Sequence, residues 1–103
     1  MEYAVSEIKV EGVSVQSEGW LSIRFRPILE TLYYSPGVLV ANDGRRLTLR
    51  VVRCPAQEKC QSDILSEYDD AGAQRISLKV TREVHQICLS DENVDCLSLW
   101  TRN

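Results

Sequence analysis

The stretch "VLVANDGRRLTLRVV", Val38 to Val52, restricts the fold more than any other part of the chain. Val38 and Val40 lead into Asn42-Asp43-Gly44, and Leu47, Leu49 and Val51 lead out. A side-chain period of two belongs to a strand with one face on a core and one in water. Asp-Gly between two such runs marks a hairpin, because glycine accepts a positive φ at low cost. Upstream, "WLSIRFR" repeats the pattern, with Leu21, Ile23 and Phe25 on one face and Ser22, Arg24 and Arg26 on the other.

The N-terminal run "EYAVSEIKVEGVSV" alternates less regularly. Tyr3 and Val5 share one parity, Ile8 and Val10 the other, and Val13 and Val15 return to the first. Each slip of one residue would turn the apolar set to solvent, which predicts bulges near Ser6-Glu7 and at Gly12, or a break between two strands at Gly12. "PILETLYYSPG" fits a helix begun by Pro27, with Ile28, Leu29, Leu32 and Tyr33 on one face; the β-favouring "TLYY" and the bracket between Pro27 and Pro36 tip 27–34 toward an extended strand. "RISLKVTREVHQICL" predicts one long strand or two, with Ile76, Leu78 and Val80 inward, and "CLSLWTR" closes the chain after the loop "SDENVD".

The stretch "CPAQEKCQSDILSEYDD" breaks the period of two. Ala56, Cys60, Ile64 and Tyr68 fall four apart with Leu65 beside them, and Pro55 suits a first helical turn, so one short helix is expected near 55–68. On that helix Cys54 and Cys60 stand about 9 Å apart along the axis. A disulfide needs Cα atoms within about 7 Å, so these two are expected to stay unbridged. The four cysteines give C-x5-C and C-x7-C with no tight pair. Structural zinc relies on closer spacing, so the expectation is four free, structural thiols and no metal or cofactor.

These elements together predict a mainly β fold, a compact antiparallel β-sandwich or barrel of about seven strands with one helix, and an α+β roll as the runner-up. At 103 residues the chain is expected to form one domain, 1–103. Its 44% hydrophobic and 26% charged residues suit a folded globule. No apolar run approaches the ~18 residues of a membrane span, and "MEYAVSEIKVEG" has neither the basic nor the apolar region of a secretion leader. A cytoplasmic, reducing location follows as the expectation.

Chemistry-bearing motifs are few. His85 is the only histidine. A Cys–His pair with Cys88 is disfavoured, since positions 85 and 88 of one strand face opposite ways. Asp91, Asn93 and Asp95 match the start of a calcium-binding loop, but Cys96 replaces its glycine and Arg102 its glutamate. The net charge is −3, and residues 1–53 carry seven Lys/Arg against six Asp/Glu, while 54–103 carry five against nine. That balance argues against wholesale coating of nucleic acid. Arg24 and Arg26, and on the hairpin Arg46 and Arg50, alternate outward. In a single sheet they would form one cationic face for an anion, nucleic-acid phosphates or an acidic partner.

The function expected is therefore a non-enzymatic protein-binding or self-assembly module. An Arg-face binder of nucleic acid or another anion is the first alternative, and a small β-barrel enzyme using His85 with a cysteine or carboxylate the second. The candidate interface is the C-terminal strand. It lacks lysine, and strict alternation puts Leu99 and Trp100 on opposite faces, which exposes Trp100 to a homodimer mate or a protein partner.

Overall fold

The computed structural model describes residues 1–102, with Glu18 described by its backbone. Seven strands of four to eight residues carry the fold: β1 Ile8–Val15, β2 Trp20–Pro27, β4 Gly37–Asn42, β5 Arg46–Val51, β9 Gln74–Lys79, β10 Gln86–Leu89 and β11 Leu97–Thr101. Four two-residue strands stitch the connections: β3 Tyr33–Tyr34, β6 Cys54–Pro55, β7 Ile64–Leu65 and β8 Glu67–Tyr68. One sheet runs β1-β2-β9-β8 and another β11-β10-β5-β4-β7, while β3 and β6 pair separately.

The two large sheets meet face to face, as in a β-sandwich. Leu21, Ile23, Phe25, Ile76 and Leu78 come from the first, and Val38, Leu47, Leu49, Val51, Ile87 and Leu89 from the second, in one buried cluster. Ile76, Leu78 and Val80 all lie inside, as their spacing predicts. Truncating such a side chain to alanine costs about 2–5 kcal/mol, since the neighbours collapse only partly into the gap. The gap lined by Ile23, Phe25 and Leu49 holds about 10 Å³, so the interior is filled and offers no ligand lumen.

The expected hairpin forms, with Val38 opposite Val51 and Asn42 opposite Leu47. Gly44 takes φ +95°. Asn42 Oδ1 accepts from the Gly44 amide at 2.7 Å, and Asp43 Oδ1 accepts from Arg45 and Arg46 at 3.0 and 2.7 Å. The parity slips of the first strand are also real. A 3-10 turn occupies Val5–Glu7, and the β1–β2 register shifts between Val10 and Gly12, leaving Glu11 as the extra residue. The C-terminal run splits: β9 pairs antiparallel with β2, whereas β10 joins the other sheet parallel to β5.

The expected helix at 55–68 does not form. Those residues make turns and the short strands β6, β7 and β8. The four-residue spacing arises because the chain crosses from one sheet to the other there, touching down briefly on each. Gly37 marks one touchdown, where a Cβ would stand 2.0 Å from the Ile64 carbonyl oxygen, so β7 can approach β4 only over glycine. The segment 27–34 is only partly a strand. Pro27 ends β2, Tyr33 and Tyr34 form β3, and an irregular loop lies between.

Without a helix the argument for free thiols fails, and the structure overturns it. Cys54 bonds Cys60 and Cys88 bonds Cys96, with Cα separations of 5.9 and 5.0 Å, and no free cysteine remains. The turn after β6 brings Cys60 back, and the β10–β11 connection does the same for Cys96. Closing loops this short restricts the unfolded chain by roughly 2–3 kcal/mol each. The untreated protein, unfolded in denaturant, should therefore take up no alkylating reagent; four alkyl groups should add only after reduction. Reduction alone should lower the thermal midpoint markedly.

Candidate interaction surface

The structure places the four outward arginines on two sheets, not one. Arg24 and Arg26 lie on β2, Arg46 and Arg50 on β5, and each pair alternates with residues of the shared core. They therefore point away from one another, and a single cationic face does not exist. Arg24 meets Glu11 at 3.1 Å and Asp69 at 2.8 Å. Arg26 reaches Glu11 at 3.4 Å and donates to the Ala71 carbonyl at 2.8 Å. Arg50 lies 3.4 Å from Glu2 and Arg46 3.7 Å from Asp95.

His85 is exposed just before β10, its amide donating to the Arg45 carbonyl at 2.7 Å. No thiol remains for it to activate, so a Cys–His nucleophile is excluded. Asp91 is a structural residue. Its carboxylate accepts from the amides of Val5, Asn93 and Val94 at 2.6–2.7 Å, fastening the N-terminal turn to the 91–96 loop. Those bonds, that of Val5 foremost, hold its pKa below the usual carboxylate range. Among the described residues no group of three or more His, Cys, Asp or Glu is arranged to hold a metal.

The C-terminal strand is an edge. β11 pairs only with β10, and the register shifts between Ile87 and Cys88, which leaves Leu99 as an extra residue. That bulge corrects the expectation for Trp100. Leu99 and Trp100 both pack against the core cluster, each half-buried, where strict alternation puts them on opposite faces. Trp100 still keeps part of its surface outside, with the Arg102 guanidinium 5.2 Å from its ring centroid. Leu97, on the same strand, is 44% exposed. Both ends of β11 are pinned, by the Cys96 disulfide before it and by Arg102 after it. Arg102 donates to the carbonyls of Val84 and Thr81, both at 3.0 Å.

A second apolar feature escapes the sequence reading. In the loop 28–32, Leu29 is 94% exposed and Leu32 73%. Arg53 props the loop from below. Its Nε donates to Glu30 at 3.1 Å, its second guanidinium arm meets the other Glu30 oxygen, and its guanidinium carbon lies 3.8 Å from the Tyr33 ring centroid. The buried Tyr3 hydroxyl also donates to Glu30. Arg53 first, and then Tyr3, holds the Glu30 pKa below normal, whereas burial, followed by Glu30, pushes the Tyr3 phenol up. Leu29 and Leu32 border a cleft of about 610 Å³ that also exposes Thr31 and Tyr33. The available signal was that Ile28, Leu29 and Leu32 fit neither a period of two nor a helix long enough to matter between Pro27 and Pro36.

Compared with family models, with curated proteins and with solved structures, the chain matches none. Its class is accordingly set by the fold alone: a small β-sandwich-like domain with pinned, partly apolar edges.

Glu30, Asp69 and Asp91 all have depressed pKa values, caused chiefly by Arg53, Arg24 and the Val5 amide respectively. Between the folded and unfolded values the unfolded chain binds more protons. Stability from these groups is therefore complete above the ordinary carboxylate pKa of about 4 and is lost as pH falls through the depressed folded values. Thermal melts should show the midpoint level near neutrality and falling on acidification below that range. Glu30→Gln should lower the neutral midpoint and flatten part of the acid limb; an unchanged acid limb would show that the Arg53–Glu30 pair contributes nothing.

Proposed function

We propose that this chain is a non-enzymatic module for protein binding or self-association, and that β11 is the edge it offers. The observation that carries the reading is the one-sided pairing of β11 in the five-stranded sheet. An unpaired edge presents a row of backbone donors and acceptors that another strand can complete. Pinning by a disulfide and by Arg102 supports the reading further, because an edge already ordered loses less entropy on binding. Trp100 and Leu97 supply apolar surface of the kind enriched at interfaces. A homodimer related by a two-fold axis satisfies these features with one copy's β11 antiparallel to the other's.

The alternatives have less support. An Arg-face binder of nucleic acid or another anion needs four guanidinium groups together, and they lie on separate sheets beside carboxylates. A barrel enzyme using His85 needs a lumen and an activated partner, and the sandwich interior is filled. No helix among the described residues is long and apolar enough to cross a membrane. The two disulfides favour an oxidising compartment over the reducing cytoplasm as the place where the chain works.

Light scattering across micromolar concentrations should show a monomer–dimer equilibrium. Leu97→Lys should shift it to monomer with a stability change under ~0.5 kcal/mol, as for other exposed positions. Trp100→Ala should weaken association and also cost about 2 kcal/mol, less than full burial would imply. A chain that stays monomeric at high micromolar concentration retires the self-association reading.

A further inference from the structure

Leu29 is the most exposed large apolar side chain among the described residues, at 94%, and Leu32 of the same loop follows at 73%. A slack loop would turn such groups inward, but this one is tied down on both sides of Leu29. Before it, the Ile28 amide donates to the Glu7 carbonyl at 2.9 Å. After it, Glu30 is held by Arg53 and by the Tyr3 hydroxyl, and the Leu32 carbonyl accepts from Ala56 at 2.8 Å. Tyr33 and Tyr34 then pair with Pro55 and Cys54. The Cys54–Cys60 ring braces these contacts, and the Tyr34 hydroxyl donates to the Glu58 carbonyl within it at 2.8 Å.

Between the ties the main chain is unspent. Among the described residues, Leu29, Glu30 and Thr31 lie outside every strand and make no backbone hydrogen bond. The loop thus offers a partner an apolar side chain together with a row of free amides and carbonyls, already ordered.

We propose that loop 28–32 is the reactive loop of a substrate-like inhibitor whose partner is a serine endopeptidase with an apolar primary pocket. Such an enzyme reads a chain through its backbone and through the one side chain beside the bond it attacks. Leu29 is that side chain, and Leu29–Glu30 is the bond. A bilayer fits the loop less well, because hydrocarbon leaves free backbone groups unsatisfied and Glu30 lies between the two leucines. The inference rests on the protein-binding reading, yet it uses a different surface from β11.

The ties explain why the loop would inhibit and not be consumed. The enzyme's serine oxygen adds to the Leu29 carbonyl carbon, the C–N bond to Glu30 breaks, and the Glu30 amine leaves with a proton. Arg53 and Tyr3 hold Glu30, and with it the new amine, beside the ester. The amine re-attacks, restoring the peptide bond and the free serine before water releases the acyl group. Even a hydrolysed chain stays together, since the piece 1–29 carries β1 and β2, with Leu21, Ile23 and Phe25 in the shared core.

The test sets the oxidised protein against chymotrypsin and trypsin, each assayed on a small chromogenic peptide. Chymotrypsin should be inhibited and trypsin should not. Leu29→Lys should exchange the targets, weakening inhibition of chymotrypsin at least ~30-fold, the size of an interface hot spot, while trypsin becomes inhibited. A position this exposed tolerates the change, and a purely structural loop would not exchange one enzyme for the other. Glu30→Gln should turn lasting inhibition into a transient one, with mass spectrometry showing cleavage after Leu29. Should Glu30→Gln not fold, the Leu29→Lys exchange decides. No inhibition of chymotrypsin at high micromolar concentration, rapid digestion of the unaltered chain at Leu29, or a Leu29→Lys chain that still prefers chymotrypsin overturns the proposal. So does a loss of dimers or of vesicle binding in Leu29→Lys with neither enzyme inhibited, which would assign the loop to a second copy or to a bilayer. Inhibition by a strictly monomeric chain sinks only the self-association reading, and dimers formed through β11 that inhibit nothing sink only this one.

Discussion

Leu21, Ile23 and Phe25 of one sheet bury against Leu47, Leu49 and Val51 of the other, and that apolar layer fixes which way every neighbouring side chain points. Once the odd positions of β2 face inward, Arg24 and Arg26 must face out. The same holds for Arg46 and Arg50 on β5. Because the layer lies between the two strands, their arginines end up on opposite outer surfaces. No local feature of either strand could have placed them together; the decision rests with the pairing of β2 to β9 and of β5 to β10.

What the sequence disclosed is what short-range chemistry controls. The Asn42-Asp43-Gly44 turn carries its own hydrogen bonds, so its hairpin is readable from three residues. The parity slips around Ser6 and Gly12 report a turn and a bulge, because these let Val5, Ile8, Val10 and Val13 all pack against the core despite their change of parity. The helix at 55–68 failed for the complementary reason. Ala56, Cys60, Ile64 and Tyr68 sit four apart by virtue of where the chain crosses between sheets, and that crossing is a tertiary event. The cysteine pairing failed with it, since the separation of Cys54 and Cys60 follows from the backbone between them. Trp100 was misplaced by a single extra residue, Leu99, whose bulge leaves no mark in the alternation of so short a strand.

The preference for arginine over lysine, nine against three, has a structural reading. Arg24 joins the β1 bulge to the 69–73 turn, Arg26 reaches the same turn, Arg53 holds the 28–32 loop, and Arg102 closes the crossover before β10. Each spans two segments at once, and a planar fork with five donors does this where a single ammonium could not. The guanidinium groups act as struts between loops of a sandwich whose regular sheets need none.

The two disulfides differ from the parallel β5–β10 ladder in how much chain they enclose. Cys54–Cys60 and Cys88–Cys96 join residues six and eight apart, whereas Leu47 must find Ile87 across forty positions. Four cysteines allow three pairings, and the native one encloses the shortest loops, for which closure entropy is smallest. The order of assembly follows. The chain can cinch its two small rings while most of it is still unfolded, leaving the parallel ladder as the slow, distant encounter on which the rate of folding turns.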